Sequence, residues 1–255
     1  MSELALRRKY PKLKSPPIEE AVISVGVEHN KDVSTESLEK IFKAFEGFYP
    51  NKKEWRQFHS AINFGEDGTN FSHNSTNEKI GFLFSDDIQN YLHCSKNKLI
   101  FNKLKPYISW ENFSDEYKKY WEIFSNNIIV SKINDLSLRY INSFYLNKED
   151  WHKNLLMGSF FRGRSDYDSS EIGVSEIFSR YVLNSLKYTA QAVVLLTIKP
   201  EEEKLKIIMD IDVKNDQDYF EYENYSNIYD TLERLRLFKN HIFFSNLPNA
   251  QDLFS

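Results

Sequence analysis

The sequence predicts an α+β protein: two β-α-β-meander-α halves whose strands make one largely antiparallel, curved sheet with helices packed on one face. Three observations lead there. From Leu136 to Leu146 the residues alternate, with Leu136, Leu138, Tyr140, Asn142, Phe144 and Leu146 on one side and Ser137, Arg139, Ile141, Ser143 and Tyr145 on the other. Successive strand side chains point to opposite faces, so this period of two marks a strand with one nearly apolar face. Elsewhere, Phe113, Tyr117, Tyr120, Trp121 and Phe124, and later Ile228, Leu232, Leu235, Phe238 and Ile242, recur at helical spacing. Short runs of strand-forming residues between polar turns complete the pattern of a meander.

Residues 1–17 are polar, basic and proline-bearing, ending in Ser15-Pro16-Pro17. Proline fixes φ and removes a donor, so they read as an extended arm. Ile18 to Glu28 is the first strand. Ser34 is a candidate cap for a helix over 37–48, whose stripe is Leu38, Ile41, Phe42, Phe45 and Phe48. Glu54 to Phe64 reads as a strand, and Gly65 to Asn77, rich in Gly, Asn, Ser and Thr, as a mobile loop. Three meander strands follow at 79–84, 89–94 and 99–104. Ser109 caps the clearest helix, to Asn126.

The strand over 133–146 is the hinge between a first half, 18–131, and a second, 132–255. After it come a short helix over 148–157 and a loop over 158–173. The stretch 174–183 fits helix or strand. It is assigned as strand because it precedes the firm strands 191–198 and 204–213, with Lys199-Pro200-Glu201 turning between those two. A helix over 227–241 closes the chain, with Pro248 beyond it.

Composition sets the class. Hydrophobic residues make up 41% and charged residues 27% of 255, ordinary for a globular protein. The formal net charge of −4 argues against a nucleic-acid protein that relies on a strong positive field. One cysteine, Cys94, precludes an intramolecular disulfide and fits a reducing cytoplasm. The N-terminus lacks the apolar core of a signal peptide, and no apolar run approaches the roughly 20 residues that span a bilayer. The expectation is a cytoplasmic protein without membrane attachment.

Motifs for chemistry are sparse. Asp210 and Asp212 lie two apart on a strand, so both carboxylates project from one face. Such a pair can divide acid and base roles or hold Mg²⁺, and can equally form a solvated face or pair with Arg139. The six histidines form no H-x-x-x-H pair, and His93-Cys94 are adjacent and cannot share a strand face. No structural metal or cofactor is expected, and ready-made phosphate loops are absent. Arg139 with Tyr140 on the central strand, and Arg162 with Arg164 in the second loop, are the candidate ligand- or partner-binding residues, because a guanidinium grips carboxylate and phosphate in fork geometry.

The segments P-P-I-E-E-A at Pro16–Ala21, L-R-Y-I-N at Leu138–Asn142, I-M-D-I-D at Ile208–Asp212 and L-R-L-F-K-N-H-I-F-F-S-N-L from Leu235 resemble a sporadically distributed, uncharacterised prokaryotic family of about this length. The resemblance covers nearly the whole chain. It implies a cytoplasmic protein from a mobile, defence or toxin–antitoxin-like setting and carries no catalytic residues over. The expected function is therefore non-enzymatic recognition of a protein partner or small ligand. The alternative is an enzyme acting on nucleotide or nucleic acid through Asp210 and Asp212.

Overall fold

The structure is a computed structural model, and it describes residues 10–29, 32–64, 71–147, 176–217 and 220–255. The elements in chain order are β1 (Ile18–Glu28), α1 (Thr35–Glu46), β2 (Asn51–Phe64), β3 (Phe71–Ser85), β4 (Asn90–Ser95), β5 (Lys98–Leu104), α2 (Trp110–Asn127), β6 (Lys132–Asn147), β7 (Ile177–Ser185), β8 (Ala190–Glu201), β9 (Lys204–Asn215), β10 (Phe220–Glu221), α3 (Tyr225–Asn246) and α4 (Ala250–Leu253). The fold class is α+β. One antiparallel sheet runs β2-β3-β4-β5-β1-β6-β9-β8-β7, and the two-residue β10 pairs with the start of β6.

Register explains why one face is apolar. Phe84 lies opposite Leu92, Leu92 opposite Phe101, Phe101 opposite Ile23 and Ile23 opposite Leu138. The row continues through Val213 and Ala192 to Leu183. All but Leu183 are fully buried or nearly so. Because the side-chain period in a strand is two, one apolar residue per pair in matched register is enough to build the whole face.

The helices cover that face. Phe45 of α1 packs on Phe84, Phe113 of α2 stacks on Phe101, Phe238 of α3 stacks on Tyr188, and Phe254 at the end of α4 meets Phe144. Side-chain caps start the long helices where the sequence places them or nearby. The Ser34 and Ser109 hydroxyls accept from the backbone N–H of Ser37 and Asn112, and Asn224 and Asn227 form a reciprocal capping box. Cys94 is buried on the helix face, where the lack of solvation raises its thiol pKa.

Several expectations need correction. Residues 71–77, read as loop from their polar composition, are strand: each pairs with β2, from Phe64 opposite Phe71 to Phe58 opposite Asn77. Cross-strand hydrogen bonds supply what side-chain propensity does not. The chain does not turn at Lys199-Pro200-Glu201. β8 continues with Pro200 opposite Leu205, and the turn falls at Glu202, whose φ is 50°. Pro200 lies beyond the last β7 pairing at Ile198, so only one ladder runs beside it and the missing N–H is tolerated. Phe48 lies past the end of α1 and is 55% exposed. The helix and loop expected over 148–173, with Arg162 and Arg164, lie outside the described residues.

Candidate functional site

The opposite face of the sheet, which no helix covers among the described residues and which is called helix-free below, carries a line of charges. Arg139 donates from Nε to Asp210 Oδ1 at 2.8 Å and from Nη2 to Asp210 Oδ2 at 2.6 Å. Both oxygens of Asp210 are thereby engaged by the one guanidinium. Nearby, Asp135 takes Lys98 at 2.8 Å and Lys214 at 3.1 Å. Its burial disfavours the charge, but the two lysines outweigh that and hold its carboxyl below the usual range.

Asp212 sits in register with Arg139, and one carboxylate oxygen is buried without a partner. Burial pushes its carboxyl up, with help from Asp210 and Asp135 against Arg139 and Lys214. Between the unfolded value of 3.8 and this raised folded value the native state binds the extra proton, so stability falls as pH rises through that window. Asp212→Asn removes the buried charge and keeps the shape. We expect it to stabilise the protein by roughly 1 kcal/mol at pH 7 and by less near pH 4. Urea midpoints at both pH values measure this, and a variant weaker than the parent at pH 7 refutes it.

No group of three or more His, Cys, Asp and Glu among the described residues is placed to hold a metal ion. Among those residues, no helix is long and apolar enough to cross a membrane.

The better-formed site is on the other side of the sheet. Tyr140 neighbours Arg139 in sequence and therefore points to the helix face, where it is 1% exposed. Its hydroxyl meets that of Tyr107 at 3.0 Å. The two rings form part of the wall of a cavity of about 460 Å³ bordered by the N-terminal arm, the start of α2, β6 and α3. That size is typical of small-molecule sites. The arm is held there by the backbone N–H groups of Lys14 and Ser15, which donate to the Phe254 carbonyl at 3.1 Å, and by Tyr10 stacked on Phe244.

From α3 come Glu233, Arg236, Lys239, Asn240 and Phe243, spaced so that successive turns present them on one side of the helix. Arg236 donates from Nε and Nη2 to Glu233 Oε2 at 3.1 and 2.7 Å, and Glu233 Oε1 accepts from the Trp110 indole. That network is internally satisfied.

Lys239 is different. Its ammonium lies 3.9 Å from the centre of the Tyr140 ring and has no carboxylate or hydrogen-bond partner among the described residues. Part of its surface is accessible, as expected for a side chain that opens into a cavity. Loss of solvation, reinforced by the nearby Arg236 charge, pushes its pKa down to about 7. A second depression of about 400 Å³, between the β7–β8 turn and α3, is lined by Lys187, Tyr188 and Phe238 among others. There the Lys187 ammonium lies 5.2 Å from the centre of the Tyr188 ring.

The structure thus separates the residues singled out from sequence. Arg139, Asp210 and Asp212 share the helix-free face, whereas Tyr140 lines the cavity, and neither cavity is lined by the aspartates. Sequence reasoning missed Lys239, Tyr107, Trp110 and Glu233. A signal for Lys239 is present, a lone cation between Phe238 and the Ile242–Phe243 pair of an otherwise core-facing helix segment. A scan against protein-family models finds no match, and a search of curated proteins finds none significantly similar.

Proposed function

We propose that this is a non-enzymatic recognition protein, a ligand sensor, that holds a small molecule in the cavity between the arm, α2 and α3. The observation that carries this reading is Lys239, a cation with no counter-charge among the described residues, opening into an aromatic-lined space. Buried charges are normally paired, so such a group calls for an external partner. A strongly displaced ionisation in a cleft is also a general mark of a functional site. The bidentate Arg139–Asp210 pair weighs against the enzyme alternative, since it occupies one of the two carboxylates that mechanism needs.

A protein partner would use the helix-free face, where Phe178 and Val182 of β7 are 62% and 44% exposed. Single exposed apolar groups are common on any surface, and the cavity is the favoured site. Outward from β1 and from β6, the strand order in the two halves is the same: first strand, last meander strand, then its predecessors. That order supports an internal duplication, in which the arm, from outside both halves, is the element that completes the site. A small-molecule sensor suits the defence or toxin–antitoxin-like setting that the family resemblance implies.

The test is native mass spectrometry of the full chain purified from its own host, beside an Ile108→Trp variant. Ile108 lines the cavity and is 66% exposed, so the larger ring fills the opening without disturbing the core. We expect a small-molecule adduct on the parent and none on the variant. Parent protein that is adduct-free and also fails to bind the neutral aromatic probe N-phenyl-1-naphthylamine overturns the proposal.

A further inference from the structure

We infer that the cavity is built for a singly charged organic acid with a flat, apolar body, its acid group seated on Lys239 and its body against the aromatic wall. This rests on the reading of the cavity as a ligand site and adds the class of ligand.

The charge pattern carries the argument. The cavity lining holds three cations, Lys12, Arg236 and Lys239, and two carboxylates, Glu111 and Glu233. Arg236 is engaged by Glu233. The backbone hydrogen bond at the α2 start holds the Glu111 carboxyl below its usual range, with further help from Ser109, Arg236 and Lys12. One positive charge is left over among these lining groups, on Lys239. A monoanion neutralises it, whereas a dianion such as a phosphate monoester would leave excess negative charge beside two carboxylates.

The geometry agrees. The Tyr140 ring covers one side of the ammonium, so an acid group approaches from the cavity side. Asn142 has no amide hydrogen left to donate there, because Nδ2 is already bound to the Met209 and Tyr140 carbonyls at 3.0 and 3.4 Å. With Arg236 engaged by Glu233, Lys239 is the main charged partner left for the anion. Tyr107, Trp110, Tyr140 and Phe243 give the remaining wall its aromatic character, which favours a flat body over a flexible chain.

Two fluorescent probes differing by one acid group test the class. 8-Anilinonaphthalene-1-sulfonate is an aromatic monoanion whose sulfonate stays ionised throughout the useful pH range, and N-phenyl-1-naphthylamine is its neutral counterpart. At pH 6 we expect the anion to bind roughly tenfold more tightly or better, with Ile108→Trp blocking both. Lys239→Met should abolish the preference and leave the neutral probe bound. The preference should also shrink as pH rises above 7, where the ammonium loses its proton. The other groups that face it are the carboxylates of Glu111 and Glu233, the cations of Arg236 and Lys12, and the phenols of Tyr10, Tyr107 and Tyr140. Side chains of those types ordinarily titrate well away from neutrality, so the change is assigned to Lys239. Equal binding of the two probes, unchanged by Lys239→Met, overturns the ligand class while the cavity stands. Failure of the neutral probe to bind, or binding insensitive to Ile108→Trp, overturns the cavity reading itself.

Discussion

Lys239→Met should make the ligand-free protein more stable by about 2–5 kcal/mol at pH 7. The folded protein holds this lysine at about 7, against an ordinary value of 10.5. Below pH 7 both folded and unfolded chains carry the proton, and folding bears the full penalty of burying the charge. Between 7 and 10.5 the unfolded chain still binds a proton that the folded one has released, so stability rises with pH across that window. Above it the penalty has gone. A shift of this size corresponds to roughly 5 kcal/mol at most, and the contact with the Tyr140 ring offsets part of it. Methionine keeps the length of the stem and removes the charge. The parent and Lys239→Met stabilities should therefore converge as pH rises from 7 to 10. Urea unfolding of both proteins across that range checks this, and parallel curves would sink it. A residue whose removal strengthens the empty protein and weakens ligand binding is one that folding alone does not explain.

Gly81→Ala should destabilise by about 3 kcal/mol or more, at or above the top of the range for ordinary core overpacking (about 1–3 kcal/mol), because backbone is the obstacle. Gly81 lies in β3 between Trp55 of β2 and Ser95 of β4. A Cβ there would stand 2.1 Å from the Cys94 carbonyl oxygen and 2.9 Å from its carbon. Both are backbone atoms in a paired strand, so relief requires β3 and β4 to part. The position adjoins the bulge between Trp55 and Arg56, and β4 pairs with β3 no further than Gly81, so beyond this point β2 and β3 continue as a two-stranded ribbon. Gly47→Ala serves as the control: its Cβ meets only the Ala44 carbonyl oxygen, at 3.2 Å, and we expect a change within about 1 kcal/mol. Denaturant midpoints for the two variants compare the sites, and a Gly81→Ala protein as stable as the parent would show that the strands part easily.

Much of the architecture was legible because it depends on local periods. Alternation placed β6 and predicted which of its residues are buried, from Leu136 through Leu146. The stripes of α2 and α3 are the residues that now face the sheet, since Phe113, Tyr117, Trp121, Phe124, Ile228, Leu232 and Leu235 are all buried. Ser34 and Ser109 marked helix starts through a hydroxyl that satisfies an otherwise unpaired N–H. Polar composition misled at 71–77, where the strand is held by its partner and the residue types carry no signal of it.

Local residue patterns were enough for the α+β class, for the buried faces of β6, α2 and α3, and for the pairing of Arg139 with an aspartate as one of two open readings. Where chemistry is possible follows from how distant segments pack together. Arg139 and Tyr140 are consecutive, yet the strand period sends one to a satisfied ion pair and the other to the cavity wall. The apolar residues around Lys239 in sequence mark it only faintly, and its importance arises from what surrounds it: Tyr140 from β6, Arg236 from its own helix, and an arm held in place by the far end of the chain. Periods of two and 3.6 are properties of a local segment, whereas loss of solvation at an ammonium is a property of everything packed around it.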